Sequence, residues 1–180
     1  MSWMDQWPDD AAGGFEVRSL DSVDPAIFRD AMARLGAAVH VVTTAGPAGS
    51  TGFTATAVCS VSDQPPTLLV CLNRNSRGNP LLRENGVFCV NTLGADDEAL
   101  ADVFAGRTGA SSEERFKVGE WMSLKTGAPV LQAAVVAFDC RTIEVRPVAT
   151  HNIYFAAVEA IHLGPKSEAL VYHERAYKRV

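Results

Sequence analysis

Residues 52–72, GFTATAVCSVSDQPPTLLVCL, concentrate small and hydroxyl side chains: Thr54, Ala55, Thr56, Ala57, Ser60 and Ser62. Thr54 and Thr56 are two apart, so in a strand their hydroxyls share a face, and Ala55 and Ala57 leave little bulk on the other. A flat ligand fits closely against such a strand. Ordinary strand composition accounts for the same residues, since Thr favours strands and Ala fills tight barrels. A second polar concentration, NRNSRG, runs over residues 73–78. Hydroxyls, amides and backbone N–H groups ahead of a helix suit a phosphate, and Arg74 or Arg77 would add a bidentate charged contact. A solvated turn is the plain alternative. Asn91 stands inside an apolar run, where an amide is costly unless hydrogen-bonded. It is either a satisfied structural amide or a ligand contact. His151, in Ala149-Thr150-His151-Asn152, sits at a turn-to-strand junction, where a lone His is more often a surface residue. No G-x-S-x-G, H-E-x-x-H or telling carboxylate pair is present.

The elements that must position these residues are read from periodicity. Asp24-Pro25 reads as a helix start, with Ile27, Phe28, Ala31, Met32 and Leu35 at helical spacing and Gly36 at the end. This predicts an amphipathic helix packed on the body. Residues 37–44 read as a strand, and Gly46-Pro47-Ala48-Gly49 as a turn that pairs it with the strand opening at 52. Residues 67–72 form a nearly continuous apolar run, expected of a strand buried on both faces, entered through the extended Pro65-Pro66. Residues 79–85 read as a short helix closed by Gly86, 87–93 as a strand, 96–104 as a helix and 106–114 as a loop. Residues 135–145 and 152–163 read as long strands broken by Pro147, and 170–177 as a last strand and tail. There is no βαβ alternation and no G-x-G-x-x-G, so the order points to a mainly β antiparallel barrel with short helices, not a dinucleotide-binding α/β fold.

A chain of 180 residues carries one domain. Residues 1–18 are polar and aperiodic and read as a flexible arm, with Trp3 and Trp7 placed to dock on the body or a partner; residues 19–180 form the domain. A net charge of −5 argues against nucleic acid or an anionic membrane as the main partner. The start lacks a secretory pattern, and no apolar run reaches membrane-spanning length. Cys59, Cys71, Cys89 and Cys140 show no metal-ligand spacing and read as reduced core residues of a cytoplasmic protein. The four histidines are scattered, which argues against zinc.

The pattern G-F-T-A-T-A-x-x-S-V-S-x-x-P-P-x-L-L-V-C-L resembles the signature of the short-chain flavin reductases. Matches continue through residues 73–80, Phe88-Cys89-Val90-Asn91-Thr92-Leu93, Arg115-Phe116, Thr150-His151 and residues 170–177, so the likeness spans roughly residues 25–178. It is closest to the branch of that family that serves pyrimidine degradation. The resemblance implies an FMN-binding split β-barrel, antiparallel and Greek-key-like, assembled as a homodimer. It implies an NADH-dependent FMN reductase supplying reduced FMN to a separate monooxygenase component. FAD in place of FMN, service to an aromatic-compound monooxygenase of the 4-hydroxyphenylacetate type, or a non-enzymatic FMN-binding electron carrier stand as alternatives. The flavin side then comprises Phe53, Thr54, Ala55, Thr56, Ser60, Val61, Ser62, Cys71, Leu72, Asn73, Ser76, Arg77, Asn79, Asn91 and Phe116. His151 and Thr150 lie on the NADH side. The family pattern has Gly-Asp-His where this chain has Ala149-Thr150-His151, so the Asp that would orient or charge the imidazole is missing. The implied chemistry, hydride from nicotinamide C4 to flavin N5, requires no protein acid or base, which agrees with the lack of one in the sequence.

Overall fold

The structure, a computed structural model, describes residues 23–180. The arm expected over residues 1–18 lies outside the described residues. In chain order the elements are α1 (Pro25–Ala33), β1 (Ala37–Ala38), β2 (His40–Thr44), β3 (Thr51–Ala55), β4 (Val58–Asp63), β5 (Pro66–Asn73), α2 (Asn79–Asn85), β6 (Val87–Thr92), α3 (Glu98–Phe104), α4 (Ser112–Arg115), β7 (Trp121–Ser123), β8 (Pro129–Leu131), β9 (Val136–Val148), β10 (His151–Leu163), β11 (Leu170–His173) and β12 (Ala176–Arg179).

Seven strands form the main sheet in the order β3-β2-β6-β9-β10-β5-β4, every neighbouring pair antiparallel. Its two edge strands, β3 and β4, are consecutive in the chain and joined only by Thr56 and Ala57. Three peptide links reach at most about 11 Å. The sheet therefore coils until its edges nearly meet, yet β3 and β4 do not pair with each other. The result is an antiparallel barrel split at residues 56–57. The strand expected to open at 52 is thus broken at residues 56–57, the chain continuing on the opposite edge of the sheet, and Thr54 and Thr56 do not share a strand face.

The barrel interior holds Val42, Leu68, Val70, Leu72, Phe88, Val90, Cys140 and Tyr154. A second cluster lies on the outside of β2 and β6, where Val41, Cys89 and Leu93 meet Leu100 and Phe104 of α3 and Val130 and Leu131 of β8. β2 and β6 are accordingly the strands buried on both faces. β5, expected to be so, alternates instead: Leu68, Val70 and Leu72 are buried, while Thr67, Leu69 and Cys71 are half-buried. Its apolar run was misleading because the outward face carries apolar residues without a covering layer.

Other expectations are revised by tertiary contacts. α1 starts as read, with the Asp24 carboxylate accepting from the Ala26 N–H, but it buries no residue. Ile27 and Phe28 are 64% and 58% exposed, so its apolar face does not pack on the barrel. β9 runs through Pro147. Beyond Arg141 it pairs only with β10, and a free edge tolerates a missing N–H. The last strand is a hairpin, β11–β12, turning at Glu174 and Arg175, both at positive φ. This turn is held by an Arg175–Asp30 ion pair and by the Glu174 N–H donating to Ala33 O, which no local turn signal announces. One revision is local instead: α4 interrupts the expected loop at 106–114 behind a capping box of Ser111 and Glu114.

Candidate active site

A cavity of about 310 Å3 opens beside the split. β3 and the link after it contribute Phe53, Thr54, Ala55, Thr56 and Ala57; the end of β5 contributes Cys71, Leu72 and Asn73, and the next loop Ser76. Phe104 and Ala105 come from the end of α3, and His151 from the start of β10. These elements meet for definable reasons. β10 pairs with β5 so that His151 lies opposite Asn73, and the Arg74 N–H donates to Thr150 O at 2.9 Å. α3 lies against β3 because Gly52 carries no side chain: a Cβ there would come within 2.7 Å of the Phe104 ring. The Thr54 hydroxyl seals that contact by donating to Ala101 O at 2.6 Å. Its proton is engaged by the helix, leaving only its lone pairs for a ligand.

The expected site residues divide by position. Phe53, Thr54, Ala55, Thr56, Cys71, Leu72, Asn73, Ser76 and His151 are brought together around the cavity. Ser60, Val61 and Ser62 are on the exposed edge strand β4, outside its walls, and Arg77 is exposed on the loop. Thr150 lies at its rim, its Oγ1 2.9 Å from His151 Nδ1, after Ala149 at a φ of 48°.

Asn91, Asn79 and Phe116 lie outside the cavity. Asn91 is fully buried and both ends of its amide are engaged: Nδ2 donates to Val41 O and Thr43 Oγ1, and Oδ1 accepts from the Leu131 N–H at 2.7 Å. It is a satisfied structural amide tying β2 and β8 to β6. Asn79 is buried beneath the 73–78 loop, donating through Nδ2 to Asn73 O. Phe116 lines a neighbouring cavity of about 810 Å3 with Gly49, Ser50, Leu81 and Trp121. Its ring centroid is 5.4 Å from that of Phe104 and 5.2 Å from that of Trp121, so an aromatic cluster separates the two cavities. Arg115 pins this partition, its Nη1 donating to Gly52 O and Phe104 O.

Sequence reasoning missed Phe104 and Ala105. The abrupt Ala105-Gly106 after an apolar helix end was the available signal. Outside the cavity, His40 pairs with Ala55 across β2 and β3 and meets Thr92 Oγ1 at 3.1 Å. Burial lowers its pKa to about 4. Burial chiefly, with Cys59 nearby, pushes the Cys71 thiol upward, which keeps it protonated against the cavity. Cys59 is exposed and Cys71 half-buried, so only Cys89 and Cys140 are the core cysteines expected of all four. No cluster of three or more potential metal ligands occurs among the described residues. The cavity has no nucleophile–base pair. Its assets are small side chains, backbone groups and a single imidazole, which suit holding flat rings rather than attacking a bond.

Comparison with known proteins agrees with this chemistry. A family model described as flavin reductase like domain matches residues 32–180. The chain is 55% identical over 169 residues to the FMN reductase (NADH) RutF of Ancylobacter novellus, covering 92% of each chain. It is 53% identical over 163 residues to the protein of the same name from Agrobacterium fabrum, covering 91% of this chain and 89% of the other. Among solved structures, BorF, the flavin reductase component of a bacterial two-component tryptophan halogenase, superposes with a TM-score of 0.81 at 28% identity, over 87% of this chain and 98% of that one. Barrel, cavity and sequence thus agree, and the chain belongs to the flavin reductase-like domain family.

Proposed function

We propose that this protein is an NADH-dependent FMN reductase that supplies reduced FMN to a separate monooxygenase component, in pyrimidine degradation. The observation that carries this reading is the cavity at the split, where His151 faces Asn73 across paired strands and small residues leave a flat wall. Ala55, Ala57 and Ala105 admit a planar ring system, and Ser76 with Arg77 on the adjoining loop suits a flavin phosphate. When bound, FMN supplies the acceptor for the nicotinamide hydride. The chain's own residues hold both rings in register and exclude water from between them. His151, steadied by Thr150, contacts the nicotinamide half from the cavity rim. The relatives, named FMN reductase (NADH), support NADH and FMN as the pair, while a structural neighbour described as an NADH:FAD oxidoreductase keeps FAD as a second acceptor.

The reading carries with it a homodimer and a cytoplasmic setting. The exposed strand β4, with one unpaired edge, and the uncovered face of α1 support the first, and four free thiols suit the second.

The test is NADH oxidation with and without added FMN, beside His151→Ala. Turnover that rises and saturates with free FMN is expected, with a flavin Kd in the micromolar range, about −8 kcal/mol, because the product must leave. His151→Ala should raise KM for NADH about tenfold while kcat changes less. FMN bound without turnover would favour the electron-carrier reading.

A further inference from the structure

Beneath the loop that follows β5 lies a buried polar cluster that no flavin contact explains. Asn79 opens α2, and its side chain and backbone close the loop from below. Nδ2 donates to Asn73 O at 3.0 Å, and the backbone N–H donates to Ser76 O at 3.0 Å. Its Oδ1 turns the other way and accepts from Asn152 Nδ2 at 3.1 Å and from the Tyr154 hydroxyl. Asn152 and Tyr154 belong to β10, the strand that begins with His151. Asn79, Asn152 and Tyr154 are 4%, 8% and 0% exposed. Apolar residues of similar size would fill this space at lower cost, but a satisfied buried network admits one arrangement of its parts. Above ground the same two segments are joined by the Arg74 N–H to Thr150 O and by the pairing of His151 with Asn73.

We propose that Asn79, Asn152 and Tyr154 are positioning residues that couple the flavin-side loop, residues 73–78, to the turn carrying His151, so that the two substrate half-sites are held as one body. The inference rests on the reading above, in which the loop serves FMN and His151 serves NADH. Hydride transfer needs two rings face to face at near-contact distance, and a displacement of about 1 Å costs on the order of 100-fold in rate. A link between the supports of the two rings holds that distance. Asn79 does so without touching either ring, which accounts for its burial away from the cavity.

The experiment uses the full chain with Asn79→Ala and Tyr154→Phe, the latter removing a single hydroxyl from an otherwise intact core. Amide hydrogen exchange should accelerate in residues 73–78 and 150–152 together, about tenfold in Asn79→Ala and less in Tyr154→Phe. Single-turnover hydride transfer from NADH to FMN should slow by about tenfold or more, and KM for FMN and KM for NADH should both rise severalfold. A merely structural role would lower the melting temperature and leave both KM values within about twofold of the native protein. That result overturns the proposal, as does loosening confined to one of the two segments. If Asn79→Ala does not fold, Tyr154→Phe decides alone. Failure of the reductase reading looks different: the native protein would not oxidise NADH with FMN present, and the exchange data would still decide whether the segments are coupled.

Discussion

His40 and His151 lie on the same sheet in opposite surroundings. His151 reaches the cavity from an exposed turn, whereas His40 is enclosed between β3 and β6 with one hydroxyl partner. Burial holds its folded pKa at about 4, against an ordinary value of 6.5. The folded protein therefore resists a proton that the unfolded chain accepts. Stability is full above about pH 6.5 and falls as pH drops toward 4, by up to about 3 kcal/mol from this group. Urea unfolding across that window should show the slope, and His40→Asn should flatten it. Equal slopes in both proteins would remove His40 as the cause. Thr54 and Asn91 make the companion point about polar residues in strands: each was a plausible ligand contact, and each has its hydrogen-bond donors engaged within the protein.

The contact between β3 and α3 is the element-scale feature on which the cavity depends. Gly52 lets the Phe104 ring lie against the strand, and Arg115 and Thr54 fasten the helix end to β3. Phe104 cannot yield easily, because Phe116 and Trp121 pack on it edge-to-face. Gly52→Ala should therefore cost about 1–3 kcal/mol by overpacking and shift the cavity wall. Fluorescence titration should show weakened FMN binding in a variant that remains folded. Native FMN affinity would show that the wall tolerates the displacement.

At the scale of the molecule, the described subunit leaves two apolar or unpaired regions to solvent. β4 has a free edge with Val61 46% exposed, and α1 presents Ile27, Phe28 and Met32 outward, with Leu35 exposed just beyond its end. A long free edge and a continuous apolar helix face are hazards for an isolated subunit. A second copy covering them is the expected solution. Sedimentation should give a dimer at micromolar concentration, and Phe28→Asp with Met32→Asp should shift it toward monomer. A monomeric native protein would oppose the assembly.

Much of the molecule follows from local chemistry. The helix start at Asp24, the α2 stop at Gly86 with its φ of 66°, and the β9–β10 hairpin each depend on residues a few positions apart. So does the gathering of hydroxyl and small residues in 53–57, which the resemblance to flavin reductases turned into a candidate ring site. What local patterns leave open is which side of a strand meets what. Only the coiled sheet decided that residues 52–62 split between its two edges, that β6 rather than β5 is buried on both faces, and that Asn79 faces Tyr154 instead of a ligand. The reason is physical: a strand's period of two sorts its side chains into two faces, but burial of a face depends on layers contributed by residues distant in the chain. The Glu174-Arg175 turn shows the same limit, since its left-handed backbone is held by α1, more than 140 residues away.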